Sequence, residues 1–227
     1  MLFPTYSILS ESAVCVTFGE KPEEGVWQQV QALDALLQKR PFPGLLATVP
    51  AFVTLTVHFD PMEVFMRQPA LGIPAAAVVE ELKNQSATLT LVQDLPETLI
   101  QIPVRYGGAF GADLGEVAER LQLREAEVIQ LHSETLFRVI MVGFAPGFPY
   151  LGMLPTALEL PRKKTISRKV AAGSVAIAGN MTCIYPNESP AGWHVIGQTE
   201  LKLFDAFAPK PCLLSAGMQV RFIPQNI

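Results

Sequence analysis

Gly143-Phe144-Ala145-Pro146-Gly147-Phe148-Pro149-Tyr150-Leu151-Gly152-Met153-Leu154-Pro155 holds three glycines and three prolines interleaved with aromatic residues. Proline lacks a backbone N–H and fixes φ, so the whole stretch is neither a helix nor a regular central strand. The prolines restrict the backbone in advance, and the glycines let N–H groups approach a ligand without a Cβ in the way. It reads as a rigid binding loop, or as a barrel corner whose Phe144, Phe148 and Tyr150 fill core. From here to the C-terminus, short apolar runs alternate with Gly and Pro clusters, the pattern of an antiparallel sheet closed into a barrel. Eleven of the 16 glycines lie between Gly107 and Gly197, which makes this half the place for close ligand approach.

Two further stretches of the same half carry chemistry. Ala171-Ala172-Gly173-Ser174-Val175-Ala176-Ile177-Ala178-Gly179-Asn180 is a small-residue strand against which a backbone or ligand can lie. Tyr185-Pro186-Asn187-Glu188-Ser189-Pro190-Ala191-Gly192-Trp193-His194 offers phenol, amide, carboxylate, indole and imidazole on a turn, which suits a small polar substrate. Between loop and strand, Arg162-Lys163-Lys164 and Arg168-Lys169 put five of the 17 basic residues into eight positions. That is either an anion site for carboxylate or phosphate or a solvated loop. His58, His132 and His194 are too far apart in sequence for a local metal signature, and no metal is expected. No Walker A loop, G-x-G-x-x-G, G-x-S-x-G or H-E-x-x-H occurs.

Towards the N-terminus, Leu99 to Val104 reads as a strand. Asp113 with Glu116 looks like a capping box opening a helix that runs to Leu121, and a second helix spans about Glu125 to Ser133. Residues 5–9 and 13–18 are β-prone around a Ser10-Glu11-Ser12 turn. Glu23 to Arg40 spaces Val26, Val30, Leu33, Leu36 and Leu37 as one helical face and stops at Pro41. Val53 to Phe59 is a strand ended by Asp60-Pro61, and Ala75 to Lys83 is a helix. Together these give ββαββα. A polar, turn-rich boundary near residues 85–97 then separates a domain at 1–90 from one at 91–227, so the fold class is α+β, a small N-terminal α/β sandwich followed by a β-barrel.

The 227 residues are 49% hydrophobic and 17% charged, enough for a buried core and too apolar for disorder. Seventeen Lys+Arg against 21 Asp+Glu leave a net charge of −4, which argues against nucleic acid. The charge is uneven: residues 1–100 hold 11 acidic and 5 basic residues, and 101–227 hold 10 acidic and 12 basic. No apolar run is long enough to span a membrane, and the N-terminus lacks the basic region of a signal peptide, so the cytoplasm is the expected location. Cys15, Cys183 and Cys212 suggest neither a disulfide framework nor a zinc site.

The loop at Gly143–Gly152, the run Ala172 to Gly179, Ile184-Tyr185-Pro186 and Gly192-Trp193-His194-Val195-Ile196-Gly197 together resemble the family called allophanate hydrolase subunit 1. That family includes the B subunit of 5-oxoprolinase and the sporulation kinase A inhibitor. Ile102-Pro103-Val104, Tyr106-Gly107-Gly108, Asp113-Leu114, Val128-Ile129, His132 and Asp60-Pro61 also fit, so the resemblance covers nearly the whole chain. It implies that the second domain is a cyclophilin-like β-barrel, with no prolyl isomerase activity following from the fold name.

The function it implies is a non-autonomous subunit of a 5-oxoprolinase that converts 5-oxoproline to glutamate with ATP. The chain would work with two further subunits of that enzyme, a related one designated C and one designated A. The ATP site is left unassigned. Alternatives are a binding module that inhibits a sensor histidine kinase, and a carboxyltransferase or allophanate-hydrolase-like subunit. The substrate is a small cyclic amide or acid. The residues expected to serve it are His132 and His194 for proton transfer, Arg162 and Arg168 for anion binding, and Tyr150, Ser174, Asn180 and Tyr185 for orientation. The chain departs from the family pattern at Ile166 and Ser167 before Arg168, at Ala171 where Pro is usual, at Met181 and Cys183 where Gln and Gly are usual, and at Ala191 in place of a Gly.

Overall fold

The computed structural model describes residues 4–21, 23–67, 72–87, 89 and 98–225. The chain divides into two compact units, Met1–Asp94 and Leu95–Ile227. The boundary expected near residues 85–97 falls mainly outside the described residues.

In the first unit, β1 (Thr5–Ser10), β2 (Ala13–Thr17), β3 (Leu45–Pro50) and β4 (Thr54–Phe59) form an antiparallel sheet in the order β1-β2-β4-β3. Alternation in β2 and β4 buries Val14, Val16, Leu55, Val57 and Phe59 completely. Helix α1 (Glu24–Lys39) lays Val30, Leu33 and Leu37 on that face at the spacing read from the sequence. Each such side chain contributes about 1.5–3 kcal/mol on burial.

The dipeptide Asp60-Pro61 ends β4 but also opens a helix that the sequence reading omitted, α2 (Pro61–Arg67). The Asp60 carboxylate accepts from the N–H of Met62 at 2.9 Å and of Glu63 at 3.2 Å, and Pro61 occupies the first helical position, where no N–H is needed. Helix α3 (Pro74–Ala87) completes the unit with Val78 and Leu82 in the core.

The second unit begins with β5 (Leu99–Tyr106), α4 (Leu114–Leu121) and α5 (Glu125–Glu134). It continues through β6 (Phe137–Val142), β7 (Pro149–Gly152), β8 (Ser167–Val170), β9 (Ser174–Ala178), β10 (Met181–Ile184), β11 (Ser189–Ala191), β12 (His194–Gln198) and β13 (Gln219–Pro224). Seven of these strands close a barrel in the order β10-β7-β6-β13-β5-β12-β9, while β8 and β11 pair separately as a two-stranded ribbon; β7 corrects the expectation that the Gly/Pro stretch holds no regular strand, Pro149 being tolerated as its first residue.

The sequence pattern suggested an antiparallel barrel, yet β13 runs parallel to β5, Gln219 opposite Leu99 through Pro224 opposite Val104. A closed ring with an odd number of strands cannot alternate direction throughout, so one parallel pair is the minimum. Among the described residues, no helix is long and apolar enough to cross a membrane.

The barrel interior is apolar, with Val139, Leu151, Ile177, Ile184 and Phe222 fully buried, and the helices add Leu114, Val117 and Val128 to the same core. One polar chain runs through it. Tyr106 Oη lies 2.8 Å from His132 Nδ1, His132 Nε2 lies 2.9 Å from Thr182 Oγ1, and Thr182 Oγ1 donates to the Ala176 carbonyl at 3.2 Å. Because the Thr182 proton goes to a carbonyl, Thr182 accepts from His132 Nε2–H, and Nδ1 accepts from the Tyr106 hydroxyl. The His132 ring stacks on Phe222 with centroids 4.5 Å apart.

Burial pushes the His132 pKa down to about 3, from 6.5. The unfolded chain therefore binds the extra proton between those values. The residue's contribution to stability is complete above about pH 6.5 and is lost as pH falls towards 3. Urea denaturation near pH 7 and near pH 5 should show the native chain weakening on acidification. His132→Phe should be less stable near pH 7, since two hydroxyls lose their partner, but should depend less steeply on pH. An equally steep acid limb in the variant would assign the proton uptake to another group.

Candidate functional site

Strand alternation sends Leu151, Thr182 and Ile177 into the barrel and their neighbours outward. On the outer face Tyr150 of β7, Cys183 of β10 and Ala176 of β9 stand side by side in register. Met181 shares this face, opposite Gly152 and Ala178. The two departures from the family pattern in β10 are thus outward-facing residues, while Thr182 and Ile184 between and beyond them belong to the interior.

An aromatic group covers this row. Phe148 contacts Tyr150 with centroids at 4.9 Å, Tyr185 at 5.1 Å and Phe144 at 5.2 Å, and Tyr150 meets Trp193 at 6.0 Å. The loop carrying Phe148 turns at Gly147, φ +76°, where a Cβ would come within 2.8 Å of Phe204 Cβ and 3.0 Å of the Leu203 carbonyl oxygen. Only glycine fits this approach. Phe144 itself takes φ +71° and leaves 68% of its surface exposed, an outlier for an aromatic residue.

Cys183, fully buried, accepts a hydrogen bond from the Tyr185 hydroxyl, and burial holds its thiol well above the usual value. Burial likewise raises Tyr150 and Tyr185, with the neighbouring Cys183 adding to both and Arg162 opposing. The phenols and the thiol are therefore neutral at physiological pH. They can donate hydrogen bonds but supply no base. The Arg162 guanidinium stands over the Trp193 ring, 5.7 Å from its centroid, and gives this face its cation.

Arg162 is aimed by its neighbour. Lys163 points the other way, into an ion pair with Asp113 at 2.6 Å, the two side chains only 18% and 14% exposed. The second Asp113 oxygen accepts from the Val195 N–H at 2.7 Å, and the Lys163 N–H donates to the Gly192 carbonyl at 2.8 Å. The capping-box reading of Asp113 is thereby corrected. It stands at the N-terminus of α4, but its side chain makes no cap hydrogen bond, because both oxygens are committed to residues far along the chain.

The structure gathers Tyr150, Arg162 and Tyr185, three of the eight expected residues, and adds Phe148, Cys183 and Trp193. Ser174 lies two positions before Ala176 on the same outward row of β9, buried, and its carbonyl accepts from the Tyr185 N–H at 2.9 Å. Asn180 is apart, in the tight turn between β9 and β10, where it holds Met153 and Leu154. Arg168 is exposed on the β8–β11 ribbon.

His132 belongs to the barrel interior described above. His194 is fully buried, its Nε2–H donating to the Pro161 carbonyl at 3.0 Å while Nδ1 has no hydrogen-bond partner among the described residues. Trp193 stood in the polar turn quoted from the sequence, whereas the alternation of β10 fixes only that Cys183 faces opposite to Thr182, and which of the two faces outward is decided by closure of the barrel.

The family described as carboxyltransferase domain, subdomain C and D, matches residues 4–214. The chain is 40% identical over 216 residues to the B subunit of 5-oxoprolinase from Bacillus subtilis, covering 95% of this chain and 90% of that one. It is 39% identical over 219 residues to the protein of the same name from Haemophilus influenzae, covering 96% and 97%. Among solved structures, TTHA0988 superposes with a TM-score of 0.80 at 36% identity over 94% of this chain, which spans only 40% of that longer polypeptide.

Removing the cation from the loop anchor tests how Arg162 is aimed. Lys163→Met leaves the Asp113 carboxylate without its ion pair and should lower stability by roughly 3 kcal/mol. It should also change tryptophan emission as the guanidinium leaves the Trp193 face. Native stability together with native emission would show that the loop keeps its place without the pair.

Proposed function

The chain belongs to the family of carboxyltransferase domains, subdomain C and D, and on that premise we propose that it is a subunit of an ATP-dependent 5-oxoprolinase. The observation that carries this reading is the identity to named B subunits along almost the whole chain. Its partners in the reading are homologues of the C and A subunits of that enzyme, in the cytoplasm. The greater length of TTHA0988, of which this chain matches 40%, supports a further unit working beside it.

5-Oxoproline carries a carboxylate on a flat five-membered lactam. In this reading the Arg162 fork takes the carboxylate, and the half-buried Tyr150 ring packs against the lactam with Trp193 and Tyr185 buried behind it. The Tyr150 hydroxyl, kept protonated by burial, donates towards the lactam carbonyl as negative charge develops on its oxygen, while the Tyr185 proton stays on Cys183. Excluding water from this wall strengthens each contact. ATP activates the very stable amide, and it is consumed by the complex. With both histidine rings closed to solvent, proton transfer is given to a group of the partner.

Co-expression with the two partner homologues should yield a stable heteromer burying more than roughly 2,000 Å². The complex should release glutamate from 5-oxoproline only with ATP. Arg162→Lys keeps the charge but not the planar fork, so activity should fall about tenfold or more, with KM rising. A complex that forms but releases no glutamate refutes the reading. Carboxyl transfer by that same complex would favour the second one, a carboxyltransferase-like subunit, which the family description supports.

A further inference from the structure

The basic run serves two faces, and only Arg162 belongs to the outer-face site. Lys163, Lys164 and Thr165 form one wall of a separate cleft of about 490 Å³, and α4 forms the other through Glu116 and Arg120. Three cations thus stand against one carboxylate in the lining. Asp113, beneath, neutralises part of Lys163, and an excess of positive charge remains.

Two of the cations are poorly committed. Arg120 reaches Glu116 at 3.4 Å, long beside the roughly 2.7–2.9 Å of a good charge-assisted bond. Its other neighbour is His194 Nε2 at 3.5 Å, which cannot accept, because its proton already goes to the Pro161 carbonyl. With a donor opposite it there, the guanidinium gains no hydrogen bond from the imidazole. Lys164 makes no ion pair among the described residues, and Thr165 adds a hydroxyl.

We propose that this cleft is a binding site for a phosphate oxyanion, either inorganic phosphate or the terminal phosphate of a nucleotide. Donors come from two opposed walls, which suits a tetrahedral group with acceptors on every side. A planar carboxylate is held by a single arginine fork and needs no second wall. The Arg120 fork takes two oxygens, the Lys164 ammonium acts as a point charge, and the Thr165 hydroxyl takes a third oxygen. The site does not rest on the 5-oxoprolinase reading, since Arg162 faces away from it.

Calorimetric titration of the full chain at low ionic strength tests this with inorganic phosphate, ADP and acetate in turn. Saturable phosphate or ADP binding is expected, with acetate weaker. Tighter ADP assigns a nucleotide, whereas phosphate at least as tight assigns the free ion. Arg120→Ala and Lys164→Ala should each weaken binding about tenfold, with the ligand-free melting temperature unchanged at exposed Lys164. Arg162→Ala should leave it intact. No saturable binding by about 10 mM overturns the proposal. So does acetate binding as tightly as phosphate, or a loss confined to Arg162→Ala, which would move the anion to the outer face.

Discussion

The Asp113 carboxylate joins three segments that are remote in sequence, and the working surface of the second unit depends on it. One oxygen pairs with Lys163, 50 positions on, and the other accepts from the Val195 N–H, 82 positions on. A charged group at this depth is stable only when its partners satisfy it from both sides, so the pair fixes the loop within a narrow geometry. Successive residues of an extended segment then point in opposite directions. With Lys163 drawn inward to Asp113, Arg162 is turned onto Trp193. A single ion pair thus divides one basic run between an aromatic wall and a cleft against α4.

The barrel beneath is held differently. A hydrogen-bonded chain, Tyr106–His132–Thr182, runs through its largely apolar interior, and every proton in that chain has one direction set by the carbonyl at its end. Such a buried network is tolerated because each member is satisfied. It ties α5 to strands on two sides of the barrel, β5 and β10, and so holds β10 in place from within while the outer side of β10 carries Cys183. The same strand therefore has one face turned to the barrel interior and one covered by the aromatic group, separated by the thickness of the backbone.

On that outer face, β10 carries two sulfur side chains, Met181 and Cys183. Cys183 occupies space that a glycine would leave open and accepts the Tyr185 hydroxyl, which holds the phenol close against the sheet. Met181 packs against the small residues Gly152 and Ala178 and presents a soft, apolar surface where an amide would present hydrogen-bonding groups. Both sulfur side chains keep the floor of the face apolar beside the Arg162 cation and the phenols.

The elements whose signal is local were legible from the sequence alone. The helical spacing in α1, the alternation in β4, the Gly/Pro texture of the barrel half and the aromatic loop around Phe148 are all set by side chains within a few positions of one another. The motifs that mark the family are of the same kind, and Tyr150, Arg162 and Tyr185 came with them. Decisions that required distant partners were not legible. Asp60 and Asp113 each stand immediately before a helix; only the first caps it, because tertiary contacts outbid the nearby N–H groups for the second. The direction of β13, the inward facing of Lys163, the closed positions of His132 and His194, and the outward facing of Met181 and Cys183 all follow from how the barrel closes. Closure is a property of the whole ring of strands, which no short stretch of sequence carries.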